Sequence, residues 1–374
     1  MSTNSSLALT SQFRFCGNCF RLDSYRGCNF GCKYCIINAK MNSCLKGNTS
    51  ETTPVSNNPS HLALMLKQNE DEVAKSNKFI WTLAHNRVPL HFGGISDPFN
   101  YFERRCETTL EMMKILNRHN YPFMLSTKGG IKQVTNTHLN LCDKDTSVFQ
   151  ISITSLHQNF VHVIEKSSPP VKERIQLIHK LKDKGYWVSI RIQPLVHLED
   201  AMEIVDKYSS LVNFITVEHL KIMPCNWTKM RELLKVVGFS AARNFHHTRY
   251  IYEMYSEIKY RNIMELKKVC KCKMGVGDNS LHYLSDSFNC CGIDCINPNF
   301  DNWLKYNTMA IYLGLKTQPV TDIPLSESRA SRIPKHNTKP LQYFVDKFKP
   351  IYNRQLYRDI KPLLDAVKSP ARDE

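Results

Sequence analysis

Alternating strand and helix patterns over residues 13 to 240 predict an α/β chain with parallel strands, either an open barrel or a doubly wound sheet. Three observations carry the prediction. Short apolar or β-branched runs recur between stretches of helical spacing. Several of those runs end in glycine or a small polar residue, which marks a strand end. Three cysteines crowd just after the first predicted strand, at the carboxyl end where such folds place their chemistry.

The elements follow in order. Residues 1 to 12 are small and polar and are expected to be loose. A first strand is placed near "RLDSY", and residues 44 to 60, rich in Ser, Thr, Asn and Pro, read as a long loop. "HLALMLKQNEDEVAKS" has helical spacing and leads to "VPLHFGGIS", a buried strand closed by glycines. "ERRCETTLEMMKILNRH" predicts a helix and "FMLSTKGG" a strand; a helix over 131–142 then precedes the strand "VFQISITSL". "VKERIQLIHKLKDKG" is an amphipathic helix with a glycine stop, followed by the strand "WVSIRIQPL". "EDAMEIVDKYS" and "FITVEHL" supply the last pair, making about six βα units. Beyond 240 the alternation fades into a Cys-rich region, 241–325, and a basic tail, 326–374.

Composition bounds the function. Hydrophobic residues are 42% of the chain, which suits a real core and excludes global disorder. No apolar run approaches the roughly 20 residues of a membrane span. The first 15 residues lack a basic start followed by a long apolar stretch, so a cytoplasmic location is expected. In a reducing compartment, fourteen cysteines point to metal ligands or core residues before disulfides. Fifty Lys and Arg against 34 Asp and Glu give a formal net charge of +16, which favours polyanionic partners such as nucleic acid.

The stretch "YRGCNFGCKYC" spaces Cys28, Cys32 and Cys35 as Cys-x3-Cys-x2-Cys. A structural zinc normally takes four protein ligands, for which Cys16, Cys19 or Cys44 are candidates. Three cysteines alone instead leave one corner of a [4Fe-4S] cube without a protein ligand, and that iron can bind a small molecule. Gly27 and Gly31 permit the tight loop that wrapping a cluster requires.

With its flanks, "RLDSYRGCNFGCKYC" resembles the cluster loop of the radical S-adenosylmethionine (radical SAM) superfamily. "GGISDPFNYFERRCETTLEMMKIL", "FMLSTKGG", "VFQISITSL" and "EKSSPPVKERIQLIHKLKDKGYWVSIRIQPLV" resemble, in that order, the branch containing spore photoproduct lyase. The likeness runs over residues 13 to 220. It implies a partial (β/α)6 barrel at 13–240 with a Cys-rich extension, a [4Fe-4S] cluster on Cys28, Cys32 and Cys35, and S-adenosylmethionine (SAM) bound at the open iron. It further implies SAM contacts at Tyr34, Ser96, Asp97, Lys128 and Ser152. Arg191 suits the SAM carboxylate, because a guanidinium fork matches that group. The implied activity is one-electron cleavage of SAM followed by hydrogen abstraction, with flavodoxin or ferredoxin as electron donor. Two positions depart from the lyase. Gly94 stands where the lyase has a hydrogen-returning cysteine, and Ile36 where it has a tyrosine. Thymine-dimer repair is therefore not the expected reaction; Cys106 and Cys225 are the alternative thiols.

Cys270, Cys272, Cys290, Cys291 and Cys295 put five thiols within 26 residues, enough for a zinc or a second iron–sulfur cluster, with Cys16, Cys19 and His282 as further candidate ligands. The tail mixes cations with Tyr343 and Phe344, a combination that tracks phosphates and stacks on bases. The expectation is a radical SAM enzyme acting on a nucleic acid or nucleotide. Its alternatives are an enzyme modifying a peptide or small metabolite, and a non-catalytic zinc or iron–sulfur nucleic-acid-binding protein.

Overall fold

Strands buried on both faces read as continuous apolar runs, while their alternate side chains still serve two different surroundings. The computed structural model follows this rule. It describes residues 7–9, 18, 20–37, 54–67, 84, 87–236, 238, 244–248, 251–278, 281, 284–287, 290–293 and 295–300. The sheet strands are β1 (Leu7–Leu9), β2 (Phe20–Leu22), β5 (Leu90–Phe92), β6 (Phe123–Thr127), β7 (Ser147–Ser152), β8 (Trp187–Leu195), β9 (Phe214–His219) and β13 (Lys273–Val276). Short pairs lie outside the sheet: β3 (Tyr25–Arg26) with β4 (Val55–Ser56), and β10 (Lys221–Ile222), β11 (Phe245–His247) and β12 (Tyr252–Met254) together.

The eight-stranded order is β1-β2-β5-β6-β7-β8-β9-β13, and every pair from β2 to β13 is parallel. The six expected strands are present as the partial barrel. Two differences extend it. Leu7–Leu9, inside the segment expected to be loose, pairs antiparallel with β2, because Leu7 buries its side chain in the core. β13, beyond the expected boundary at 240, pairs with β9. The helix expected over 103–119 breaks into Glu103–Cys106 and Thr108–Arg118 at Glu107, which has φ 50°. The expected tail at 326–374 lies outside the described residues.

Successive side chains divide between two cores. Phe149 and Ile151 of β7, and Ile215 and Val217 of β9, face the helices in the main core. Val148 and Phe214 from the same strands, with Met124 of β6, face inward and meet Cys291, Ile293, Ile296 and Phe300. Residues 290–293 and 295–300 thus plug the barrel. Thr216 Oγ1 donates to the Cys290 carbonyl at 2.7 Å, and Asn297 Nδ2 reaches the carbonyls of Lys144 and Asp145, just ahead of β7, at 3.1 Å. The plug therefore enters from the amino ends of the strands and leaves their carboxyl ends open.

Glycine makes this fit possible. Gly292 has φ +66°, and a Cβ there would stand 2.6 Å from the Phe214 ring; a Cβ on Gly275 would stand 2.3 Å from the Cys290 carbonyl oxygen. Gly292→Val is expected to destabilise the chain by at least about 2 kcal/mol, combining left-handed backbone strain with overpacking. A urea melt checks this, and an unchanged midpoint would show that the plug does not pack as described. No helix among the described residues is long and apolar enough to cross a membrane.

Candidate functional site

The cysteine loop leaves β3 and crosses the carboxyl end of the sheet, where neighbouring strand ends hold it on two sides. On one side, Asp23 follows β2 and accepts from the Ile95 N–H at 2.7 Å and the Ser96 N–H at 3.3 Å, while Arg21 pairs with it at 3.2 Å. Burial pushes the Asp23 carboxyl up against those contacts. Ser96 Oγ donates to the Tyr25 carbonyl at 2.7 Å. Asp97 accepts from Thr127 Oγ1 at 2.7 Å, from the Lys128 N–H at 2.6 Å and from the Phe99 N–H at 2.9 Å. Ser96 and Asp97 therefore brace the strand ends. Burial raises the Asp97 carboxyl, and these donors offset part of the shift.

On the other side stands a group that the strand-end reading of the sequence passed over. Cys32 bridges to Glu165, the Lys33 N–H donates to the Ile164 carbonyl at 2.8 Å, and the Ser167 N–H donates to the Phe30 carbonyl at 3.0 Å. Tyr34 Oη and Thr154 Oγ1 both donate to Glu165, which is ion-paired with Arg174 at 2.7 Å; neither charged side chain has any exposure. Arg174 also donates from Nε to the Pro169 carbonyl at 3.0 Å and from Nη1 to the Ser152 carbonyl at 3.1 Å. Burial opposes the charge on Glu165, yet Arg174, Lys128 and these hydrogen bonds hold its carboxyl at about 2. The "EKSSPPVKER" stretch, with Glu165 next to a helix that carries Arg174, was the available signal.

Cys28, Cys32 and Cys35 share a cavity of about 340 Å³ with Tyr34, Lys128, Ser152 and Arg191. All the site residues expected around the triplet therefore meet at one place. Lys128 Nζ lies 5.6 Å from the centre of the Tyr34 ring. Arg191 Nη1 donates to Gln150 Oε1 at 3.3 Å, and its Nε is buried without a hydrogen-bond partner. The inward side chains of successive strands form a polar layer below: His91 Nε2 meets Ser126 Oγ at 2.8 Å, and Ser126 donates to Gln150 at 2.8 Å. Burial first, then Arg191 and Arg21, lower the His91 imidazole to about 3, so it is neutral at working pH.

Burial pushes the Cys28 thiol up to about 12 and the Cys32 thiol higher still. A bare thiolate here is costly, so a cationic centre is what these sulfurs suit. Among the described residues, no three His, Cys, Asp or Glu side chains gather as the ligands of a single ion. A cubane makes a different demand, since each cysteine binds its own iron. An all-sulfur donor set on one wall of a polar cavity fits a [4Fe-4S] cluster.

The expected second metal centre divides in two. Cys270 and Cys272, with Sγ atoms 3.8 Å apart, pack against the main core outside β13. Cys290, Cys291 and Cys295 belong to the inner core. The intervening strand keeps the two sets on opposite faces of the sheet. Cys16, Cys19, Cys44 and His282 lie outside the described residues. Cys106 and Cys225 are exposed and away from the cavity, and Gly94 sits beneath Arg21, whose Cδ would be 3.1 Å from a Cβ at that position.

A parallel partial barrel with a three-cysteine loop across its carboxyl end is the arrangement that the sequence resemblance implies. A mutant spore photoproduct lyase with bound AdoMet and dinucleoside spore photoproduct shares this fold at a TM-score of 0.50 and 11% identity, over 69% of this chain and 76% of that one. Streptococcus suis SuiB bound to S-adenosylmethionine gives 0.38 and 13%, over 58% and 47%. No family model matches the sequence. The uncharacterized protein ORF301 of Acidianus two-tailed virus is 23% identical over 171 residues, which are 45% of this chain. This chain spans about half the length of that curated relative, 53%.

Proposed function

We propose that the protein is a radical SAM enzyme that cleaves S-adenosylmethionine reductively and abstracts a hydrogen atom from a nucleic acid or nucleotide. The observation that carries this is the meeting of Cys28, Cys32 and Cys35 with Tyr34, Lys128, Ser152 and Arg191 in one cavity at the carboxyl end of the barrel. Bound to the three cysteines, a reduced [4Fe-4S] cluster supplies the electron that splits SAM into methionine and a 5′-deoxyadenosyl radical. The chain supplies position and exclusion. Arg191, with its unpartnered Nε, receives the SAM carboxylate. Lys128 and Tyr34 line the approach to that group, Ser152 ends the adjoining strand, and the braced Ser96–Asp97 turn fixes the distance between the loop and β6. A ferredoxin- or flavodoxin-class protein delivers the electron.

The substrate class rests on charge. The chain carries +16, and Arg21, Lys128, Arg191 and Lys221 all line the cavity. Anaerobic reconstitution with iron and sulfide is expected to give a four-iron chromophore and, with SAM and dithionite, 5′-deoxyadenosine. Absence of both would overturn the enzyme reading. DNA or RNA at low salt is expected to bind and to accelerate SAM cleavage, with the effect fading as salt rises. No binding at low salt would remove the nucleic-acid substrate while leaving the cleavage chemistry standing.

A further inference from the structure

The plug brings two thiols into the reaction cavity. Cys290 and Cys291 are adjacent in sequence, their Sγ atoms are 3.8 Å apart, and both residues line the cavity that holds the cysteine loop. The Cys290 backbone is fixed, since its carbonyl accepts from Thr216 and stands where a side chain on Gly275 would be. Apart from the loop triplet, the other thiols with described positions are elsewhere: Cys106 and Cys225 are exposed away from the cavity, Cys142 is buried against the His138 carbonyl, Cys270 and Cys272 lie outside β13, and Cys295 donates to the Gly292 carbonyl at 3.4 Å away from the cavity lining.

We propose that Cys290, partnered by Cys291, is the cavity's hydrogen-atom donor, which returns a hydrogen atom to a carbon radical generated there. The proposal rests on the radical reading above. Its chemical basis is that an S–H bond is weaker than the aliphatic hydroxyl, amide, ammonium, guanidinium and imidazole linkages on these walls, while the one comparable group, the Tyr34 phenol, is committed to Glu165. Its hydrogen bond with Cys291, together with burial, pushes the Cys290 thiol well up, so sulfur keeps its hydrogen at neutral pH. In the step, one C–H bond forms as the Cys290 S–H bond breaks, and the unpaired electron passes from carbon to sulfur. Cys291, in contact with that sulfur, shares its lone pair and holds the radical. One electron from a ferredoxin- or flavodoxin-class donor and one proton from solvent restore the thiol.

A substrate-free experiment tests this. Reconstituted protein is given SAM and dithionite in D2O with no other hydrogen source added, and the deuterium in each 5′-deoxyadenosine formed is read by mass spectrometry. In wild type the 5′-deoxyadenosyl radical is expected to take the exchangeable thiol deuterium, so most product carries one solvent-derived label. Cys290→Ser/Cys291→Ser is expected to lower the labelled fraction several-fold. An unchanged fraction in a variant with a wild-type urea midpoint overturns the proposal. Wild type that forms no 5′-deoxyadenosine at all sinks the radical reading instead. A second arm needs no cluster. In a chain with Cys28, Cys32 and Cys35 replaced by alanine, phenylarsine oxide is expected to bridge Cys290 and Cys291, as mapped on peptides. A pair that resists the reagent is not a pair of adjoining, cavity-facing thiols, and the proposal fails.

Discussion

Replacing Cys32 with alanine is expected to abolish reductive SAM cleavage while leaving the fold intact. The loop's backbone is held independently of the sulfur, by the Lys33 N–H on the Ile164 carbonyl and the Ser167 N–H on Phe30. The variant should therefore melt close to wild type. Its reconstituted iron content and cluster absorbance should collapse, because two remaining cysteines do not secure a cube that leaves one iron open. The measurement is iron per chain, electron paramagnetic resonance after dithionite, and 5′-deoxyadenosine by chromatography. Retained cleavage would remove Cys32 from the ligand set. A collapsed melt would mean that the sulfur itself holds the loop, contrary to the backbone contacts.

That outcome turns on a motif which reads from sequence alone, and the reason is local. Cys28, Cys32 and Cys35 lie within one turn-rich loop, so spacing preserves their geometry; Ser96, Lys128 and Ser152 lie at or just beyond strand ends that periodicity locates, and Arg191 at the middle of a long strand. The strand Trp187–Leu195 matches "WVSIRIQPL" in full because both its faces are buried and its run is long. Features that depend on distant segments were not legible. Nothing in "KMGV" announces β13, a four-residue strand that contains Gly275, is followed by Gly277 and has its partner 59 positions away at Phe214. Likewise, Cys290 and Cys291 look like metal ligands beside Cys270 and Cys272 until the sheet is seen to separate them. Glu165 and Arg174, which lie near and on an amphipathic helix and which strand-end periodicity does not pick out, are both fully buried.

Arg174→Met is expected to be the most destabilising single change in the barrel, by about 3 to 5 kcal/mol, because it strands the Glu165 carboxylate in a site without water. Glu165→Gln/Arg174→Met removes both charges and is expected to recover a large part of that loss, a non-additivity typical of a buried pair. The same pair sets a pH dependence. Glu165 has an ordinary value of 4.5 and is held at about 2 in the folded chain, so the unfolded chain binds more protons between those values. Its contribution, on the order of 3 kcal/mol, is present above pH 4.5 and is lost as pH falls toward 2. Urea melts of wild type between pH 7 and about pH 3 should therefore fall more steeply than melts of the double variant. Function is tied to the same residue, since the Glu165 carboxylate accepts from Tyr34 of the cysteine loop while its backbone forms a β-bridge with Cys32. Loss of the Arg174 guanidinium should loosen the cysteine loop, and reconstituted Arg174→Met should bind iron more weakly than wild type at a temperature where both are folded. Equal iron affinity would show that the pair supports the barrel alone and does not set the loop.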